Sequence, residues 1–141
     1  MADSYDLQRF VEAQDAHGTY DCAVDELRRG QKTSHWMWFV FPQIAGLGYS
    51  STSRKYAISS LDEAKAYLEH PVLGPRLQEC AVIVAEVQGR SAEQIFGYVD
   101  ALKLRSSMTL FHRAAPDDPL FKRVLDQYFG GRVDSATDER I

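Results

Sequence analysis

Chemistry in this chain has its densest expression where His35 joins the polar run Gln31-Lys32-Thr33-Ser34 to the apolar run Trp36-Met37-Trp38-Phe39-Val40-Phe41, which ends in Pro42-Gln43. An imidazole at such an edge is a candidate general base, provided that an acid partner or a substrate proton lies within reach; otherwise it is a hydrogen-bonding residue that fixes the entry to the segment. Trp36 and Trp38, the two tryptophans of the molecule, suit either the core or the wall of a ligand pocket. Gln43 follows a proline, so its amide sits on a fixed turn and serves a ligand or the turn itself.

The next segment is Gly46-Leu47-Gly48-Tyr49-Ser50-Ser51-Thr52-Ser53, with Arg54, Lys55 and Tyr56 behind it. Two small residues let main-chain amides converge, and a helix opened at Ser50 or Ser51 would aim free N–H groups at an anion. The same residues also make an ordinary glycine turn with a serine N-cap. No third glycine stands at dinucleotide-binding spacing and no Gly-Lys-Ser/Thr follows, so the pattern falls short of a nucleotide-binding motif. A second polar collection, Lys103, Arg105, Ser106, Thr109 and His112, shares one helical segment with Leu104, Met108 and Phe111. Lys103 and Ser106 begin an i, i+3 series that continues through Thr109 and His112. That series faces solvent, or else supplies the second wall of a pocket whose first wall is the glycine loop.

Other chemistry is excluded by composition and spacing. No G-x-S-x-G elbow and no HExxH occur. The four histidines, at 17, 35, 70 and 112, lack paired ligand spacing, so no metal site is expected, and no cofactor. The acidic run Glu12, Asp15, Asp21, Asp25 and Glu26 reads as a solvated face. Cys22 and Cys80 are too few for a disulfide framework and read as small buried hydrophobes.

A net charge of −4 argues against nucleic acid as a partner. The apolar run from Trp36 to Phe41 is far shorter than a membrane span, and the acidic N-terminus lacks a leader pattern, so a cytoplasmic chain with no membrane partner is expected.

The elements that must position these residues are helices. Leu7, Phe10 and Val11 predict a helix capped by Asp6 and stopped at Gly18, and Thr19 is expected to cap a second that ends at Gly30. Ser60-Leu61-Asp62-Glu63 and Ser91-Ala92-Glu93-Gln94 have capping-box spacing. Leu73, Leu77, Cys80, Ala81, Val84 and Val87 predict a long helix over residues 71–88. Asp118-Pro119 is an N-cap followed by an N1 proline, opening the most amphipathic helix, which Gly130-Gly131 ends. Strand alternation is weak, and Trp36–Phe41 is the single short run that could pair.

The expected architecture is therefore all-α: a compact single-domain multihelical bundle of about six to seven helices, interrupted by a long irregular aromatic and glycine loop. The domain spans residues 6–130, and 131–141 form a polar C-terminal tail.

Several strings carry a family resemblance. Leu7-Gln8-Arg9-Phe10, the run Gly30 to Gln43 with its Trp-x-Trp-Phe-x-Phe-Pro-Gln core, Gly46-Leu47-Gly48, Ser53 to Ile58, His70-Pro71-Val72-Leu73-Gly74 and Lys103 to Phe111 together resemble, in order and over nearly the whole chain, the domain-of-unknown-function family number 1810. The resemblance implies a mainly α-helical fold and brings no established activity.

The leading functional expectation is binding, with processing as an extension, of a small anionic or nucleotide-like ligand. Trp36, Trp38, Gln43, Gly46, Gly48, Ser50, Ser53, Tyr56, Lys103 and Ser106 would form its site, with His35 the candidate for any catalysis. The competing expectation is a noncatalytic protein-interaction module, in which the aromatic loop is scaffold and the acidic first helices or the tail meet a partner.

Overall fold

Ser60, Ser91 and Asp118 start helices as their types predict: each accepts a hydrogen bond from a backbone N–H of the turn that it opens. A computed structural model describes residues 3–141, and over these the chain is all-α and forms one compact domain. The longer helices are α1 (Gln8–Asp15), α2 (Thr19–Arg28), α5 (Leu61–Glu69), α6 (Leu73–Glu86), α8 (Tyr98–Ala114) and α9 (Pro119–Phe129). Four short α-helices, α3 (Met37–Val40), α4 (Ser51–Lys55), α7 (Ala92–Phe96) and α10 (Ser135–Asp138), and a 3-10 turn at Ala16–Gly18 between α1 and α2 complete the set. The helix count thus exceeds the expected six to seven, because two short helices form inside the aromatic and glycine loop and one inside the C-terminal segment. Helices this short give too little periodicity to read.

α8 is the central element, with α5, α7, α9 and α10 packed against it, while α6 lies on α2, α5 and α9. Aromatic rings run through the core from Phe10 to Tyr67 (5.2 Å), Phe111 (5.4 Å) and Phe121 (5.9 Å). This line ties α1 and α5 to α8 and α9, and rings at these separations add to the burial of apolar area. The chain turns from α5 into α6 at His70-Pro71, where His70 Nδ1 accepts from the N–H groups of Val72 and Leu73. Here Gly74 is a packing requirement: a Cβ on it would lie 2.1 Å from the carbonyl oxygen of Leu68.

Several local expectations are corrected. Asp3 caps α1 in place of Asp6, its carboxylate accepting from Leu7 N (2.7 Å) and Gln8 N (2.9 Å). Thr19 does not cap α2; its hydroxyl donates back to Ala16 O, and the N-cap is Gly18 in the left-handed region. At α5, Ser60 is the cap, but Glu63 does not return to its N–H. The carboxylate accepts from Ser59 N and Oγ and from Arg9. Cys80 is buried, with burial pushing its thiol pKa up to about 12, whereas Cys22 is exposed. Trp36–Phe41 does not pair as a strand; its middle is α3, and the pairing falls later, at a parallel bridge between Ile44 and Ile58.

Residues 131–141, read from sequence as a polar tail, lie against α8. Arg105 donates to the carbonyls of Arg132 and Val133. The Asp134 carboxylate accepts from Ser106 and Thr137, and its N–H donates to Thr109. A polar cluster does here what an apolar stripe does elsewhere, so hydrophobic periodicity gave no sign of it.

Candidate functional site

The wall that carries both tryptophans hangs on one carboxylate. Glu26, buried on α2, accepts from Thr33 N (2.7 Å), Ser34 N (2.9 Å), Ser34 Oγ (2.6 Å) and Trp36 Nε1 (3.0 Å). Burial alone would raise its pKa, but these donors outweigh it and bring the value down to about 2. Glu26 therefore belongs to the core, and reading it as part of a solvated acidic face is corrected. The segment is also pinned just before these residues by Lys32 N, which donates to Ile95 O (2.7 Å), and at its other end, in α3, by Gln14, whose amide donates to Phe39 O (2.8 Å).

Trp36 is 1% exposed and is a core residue, whereas Trp38 is half-buried and stands between two recesses. The first, of about 130 Å³, is lined by Lys32, His35, Trp36, Met37, Trp38, Phe39, Thr52, Asp100 and Lys103. In it Asp100 binds two ammonium groups, Lys32 Nζ at 2.8 Å and Lys103 Nζ at 3.0 Å. Burial acts to raise the Asp100 pKa, but the hydrogen bonds and charges of Lys32 and Lys103 hold it below the usual carboxylate range. Lys32 lies 4.9 Å from the ring centre of Trp36, and Lys103 lies 4.2 Å from that of Trp38. Cations over indole faces at these distances are held by the ring quadrupole. Two ammonium groups on one carboxylate leave the recess one positive charge in excess. His35 is exposed at its edge and, among the described residues, bonds to no carboxylate.

The second recess, of about 120 Å³, lies inside the loop itself and is lined by Trp38, Gln43, Ile44, Ala45, Gly46, Leu47, Gly48, Ser53, Arg54, Tyr56 and Ala57. Its neck is the Ile44–Ile58 bridge, closed by Ile58 N to Gln43 O (2.8 Å) and Ala45 N to Ile58 O (2.8 Å). Arg9 braces it from outside, donating to Lys55 O, Ala57 O and Glu63. Gly46 has φ +97°, and Gly48 is required by close approach, since a Cβ there would lie 2.8 Å from Ser53 Oγ. No carboxylate lines this recess, and Arg54 at its rim forms no salt bridge among the described residues. Gln43 is 5% exposed, and its Nε2 has no acceptor among the described residues.

The sequence-selected residues therefore divide. His35, Trp36, Trp38 and Lys103 share the first recess, and Trp38, Gln43, Gly46, Gly48, Ser53 and Tyr56 share the second. Ser50 lines neither; its hydroxyl caps α4 by accepting from Ser53 N. Ser106 is buried away from both, its hydroxyl donating to Asp134 at 2.9 Å with Leu102 O at 3.2 Å beside it. An i+3 step on a helix turns about 60° short of a full circle, so the series from Lys103 leaves the recess by its second member. Lys32 and Asp100 were missed from sequence because they lie on different segments. Among the described residues no three His, Cys, Asp or Glu side chains are grouped as a metal site needs, and no helix is long and apolar enough to cross a membrane.

Comparison with known proteins places this geometry in a family. No curated protein matches the chain. The structure is similar to the crystal structure of the conserved hypothetical protein Rv1873 from Mycobacterium tuberculosis, with a TM-score of 0.94 and 55% sequence identity over 97% of this chain and 96% of that one. The model of the family described as protein of unknown function DUF1810 matches residues 4–141, and the chain belongs to that family.

Proposed function

We propose that this protein binds a small anionic, nucleotide-like ligand at the paired recesses around Trp38, with the anion held by Lys32 and Lys103. The observation that carries this reading is the surplus charge: Lys32 and Lys103 share the single carboxylate of Asp100 in a recess walled by both tryptophans. A partly desolvated cation that lacks a full counter-charge is completed by an incoming anion. Asp100 holds the two ammonium groups in place before a ligand arrives, which lowers the ordering cost of binding. His35 stands beside them without an acid partner, so the reading is of binding.

The interaction-module reading has less to support it, since the C-terminal segment that would meet a partner is engaged with α8. The test is a thermal-shift and titration series with inorganic pyrophosphate and nucleoside monophosphates. A ligand at a hundred times its Kd stabilises the fold by about 2.7 kcal/mol. Lys103→Gln should weaken pyrophosphate binding at least tenfold and flatten its salt dependence. Absence of any shift across the panel with the unaltered protein refutes the proposal.

A further inference from the structure

A buried carboxamide without a partner is rare, because desolvating an N–H donor and leaving it unpaired is costly. Gln43 is such a group, and it lines the recess inside the loop. The recess is walled by the Trp38 and Tyr56 rings and by Ile44 and Leu47, and it holds no acidic side chain. Its cation, Arg54, is exposed at the rim. A neutral donor at depth with apolar walls selects a neutral acceptor, since a carboxylate or phosphate there would lose its hydration to a single uncharged N–H. At about 120 Å³ the space is of the order of the apolar cavity, about 150 Å³, that takes benzene in another protein. It therefore suits one six-membered ring and is too small for a fused pair.

From this we infer that the loop recess is a recognition subsite for a single planar ring carrying a carbonyl or lactam acceptor, towards which the Gln43 carboxamide turns its otherwise sealed and unpaired Nε2 while the ring packs beside Trp38. This deepens the reading of the lysine recess by naming the uncharged part of the ligand, and it rests on that reading only for the two parts being one molecule.

The experiment uses the full chain and probes without charge, so that its outcome is separate from that of the anion series. 2-Pyridone is titrated by heteronuclear NMR, with benzene as the ring that lacks an acceptor. Saturable shifts are expected at the Gln43 side-chain amide and the Trp38 indole with 2-pyridone, with benzene at least tenfold weaker. Gln43→Met, which keeps the length of the side chain and removes its donors, should weaken 2-pyridone at least tenfold and leave benzene unchanged. A folded variant is verified by its cooperative melt. No saturable shift with the unaltered protein, or equal binding of benzene and 2-pyridone, overturns the inference. A pyrophosphate response without a 2-pyridone response refutes the subsite alone, and the reverse result refutes the lysine site alone.

Discussion

Glu26→Gln isolates the interaction on which the tryptophan wall depends. The folded carboxylate has a pKa of about 2 against an ordinary 4.5, and each pKa unit is worth 1.36 kcal/mol, so Glu26 contributes about 3 kcal/mol at neutral pH. Because the folded pKa is depressed, this contribution is complete above about pH 4.5 and is lost as pH falls towards 2. Glutamine keeps the shape: its oxygen can accept the N–H groups of Thr33, Ser34 and Trp36, and its amide can donate to the Ser34 hydroxyl, which turns to accept. The variant thus loses the charge and little else. Urea melts of both proteins should differ by about 3 kcal/mol at pH 7 and by only about 1.4 kcal/mol at pH 3, where most of the carboxylate's advantage has gone. Other carboxylates titrate in both proteins and cancel in the difference. A gap that is the same at pH 7 and pH 3 would refute the assignment of the depressed pKa to this hydrogen-bonded cage, and Trp36 emission unchanged on mutation would refute its hold on the tryptophan.

Two further expectations concern stability. Gln43→Leu removes an unpaired buried amide and should stabilise the free protein by about 1–3 kcal/mol, raising Tm by a few degrees in calorimetry; a lowered Tm would show that the amide is satisfied. Gly74→Ala drives a methyl into the Leu68 carbonyl at the α5–α6 crossing and should cost about 1–3 kcal/mol in chemical denaturation, and a neutral outcome would mean that the helices are not so close.

The parts of the fold that were legible in sequence are those with a local cause. Ser91 and Gln94 satisfy one another within one turn, Asp118 and Pro119 open α9 side by side, and Gly130 closes it at φ +62°. Apolar spacing found α6 and α9 for the same reason. What escaped was long-range and polar. Glu26 looked like its acidic neighbours, because nothing in a run of carboxylates marks the one that turns inward to meet Trp36. Lys32 and Asp100 are far apart in sequence and meet only because α8 is laid beside the segment before α3. The clasp of Asp134 by Ser106, Thr109 and Thr137 leaves no hydrophobic trace at all. The aromatic and glycine loop stands out in the sequence as one stretch, yet its residues sort into two recesses that share Trp38, a partition that only the folded backbone makes.

Trp38 belongs to both recesses, and this would give the proposed site a thermodynamic property of its own. Any rotation or shift of the indole that enlarges one chamber alters the other, and the Lys103 ammonium on its face is carried along. If both recesses take ligands as proposed, their occupants are linked across this partition, and the factor by which the first changes the affinity of the second equals the factor by which the second changes that of the first. The sign of that linkage is set by a single aromatic plane.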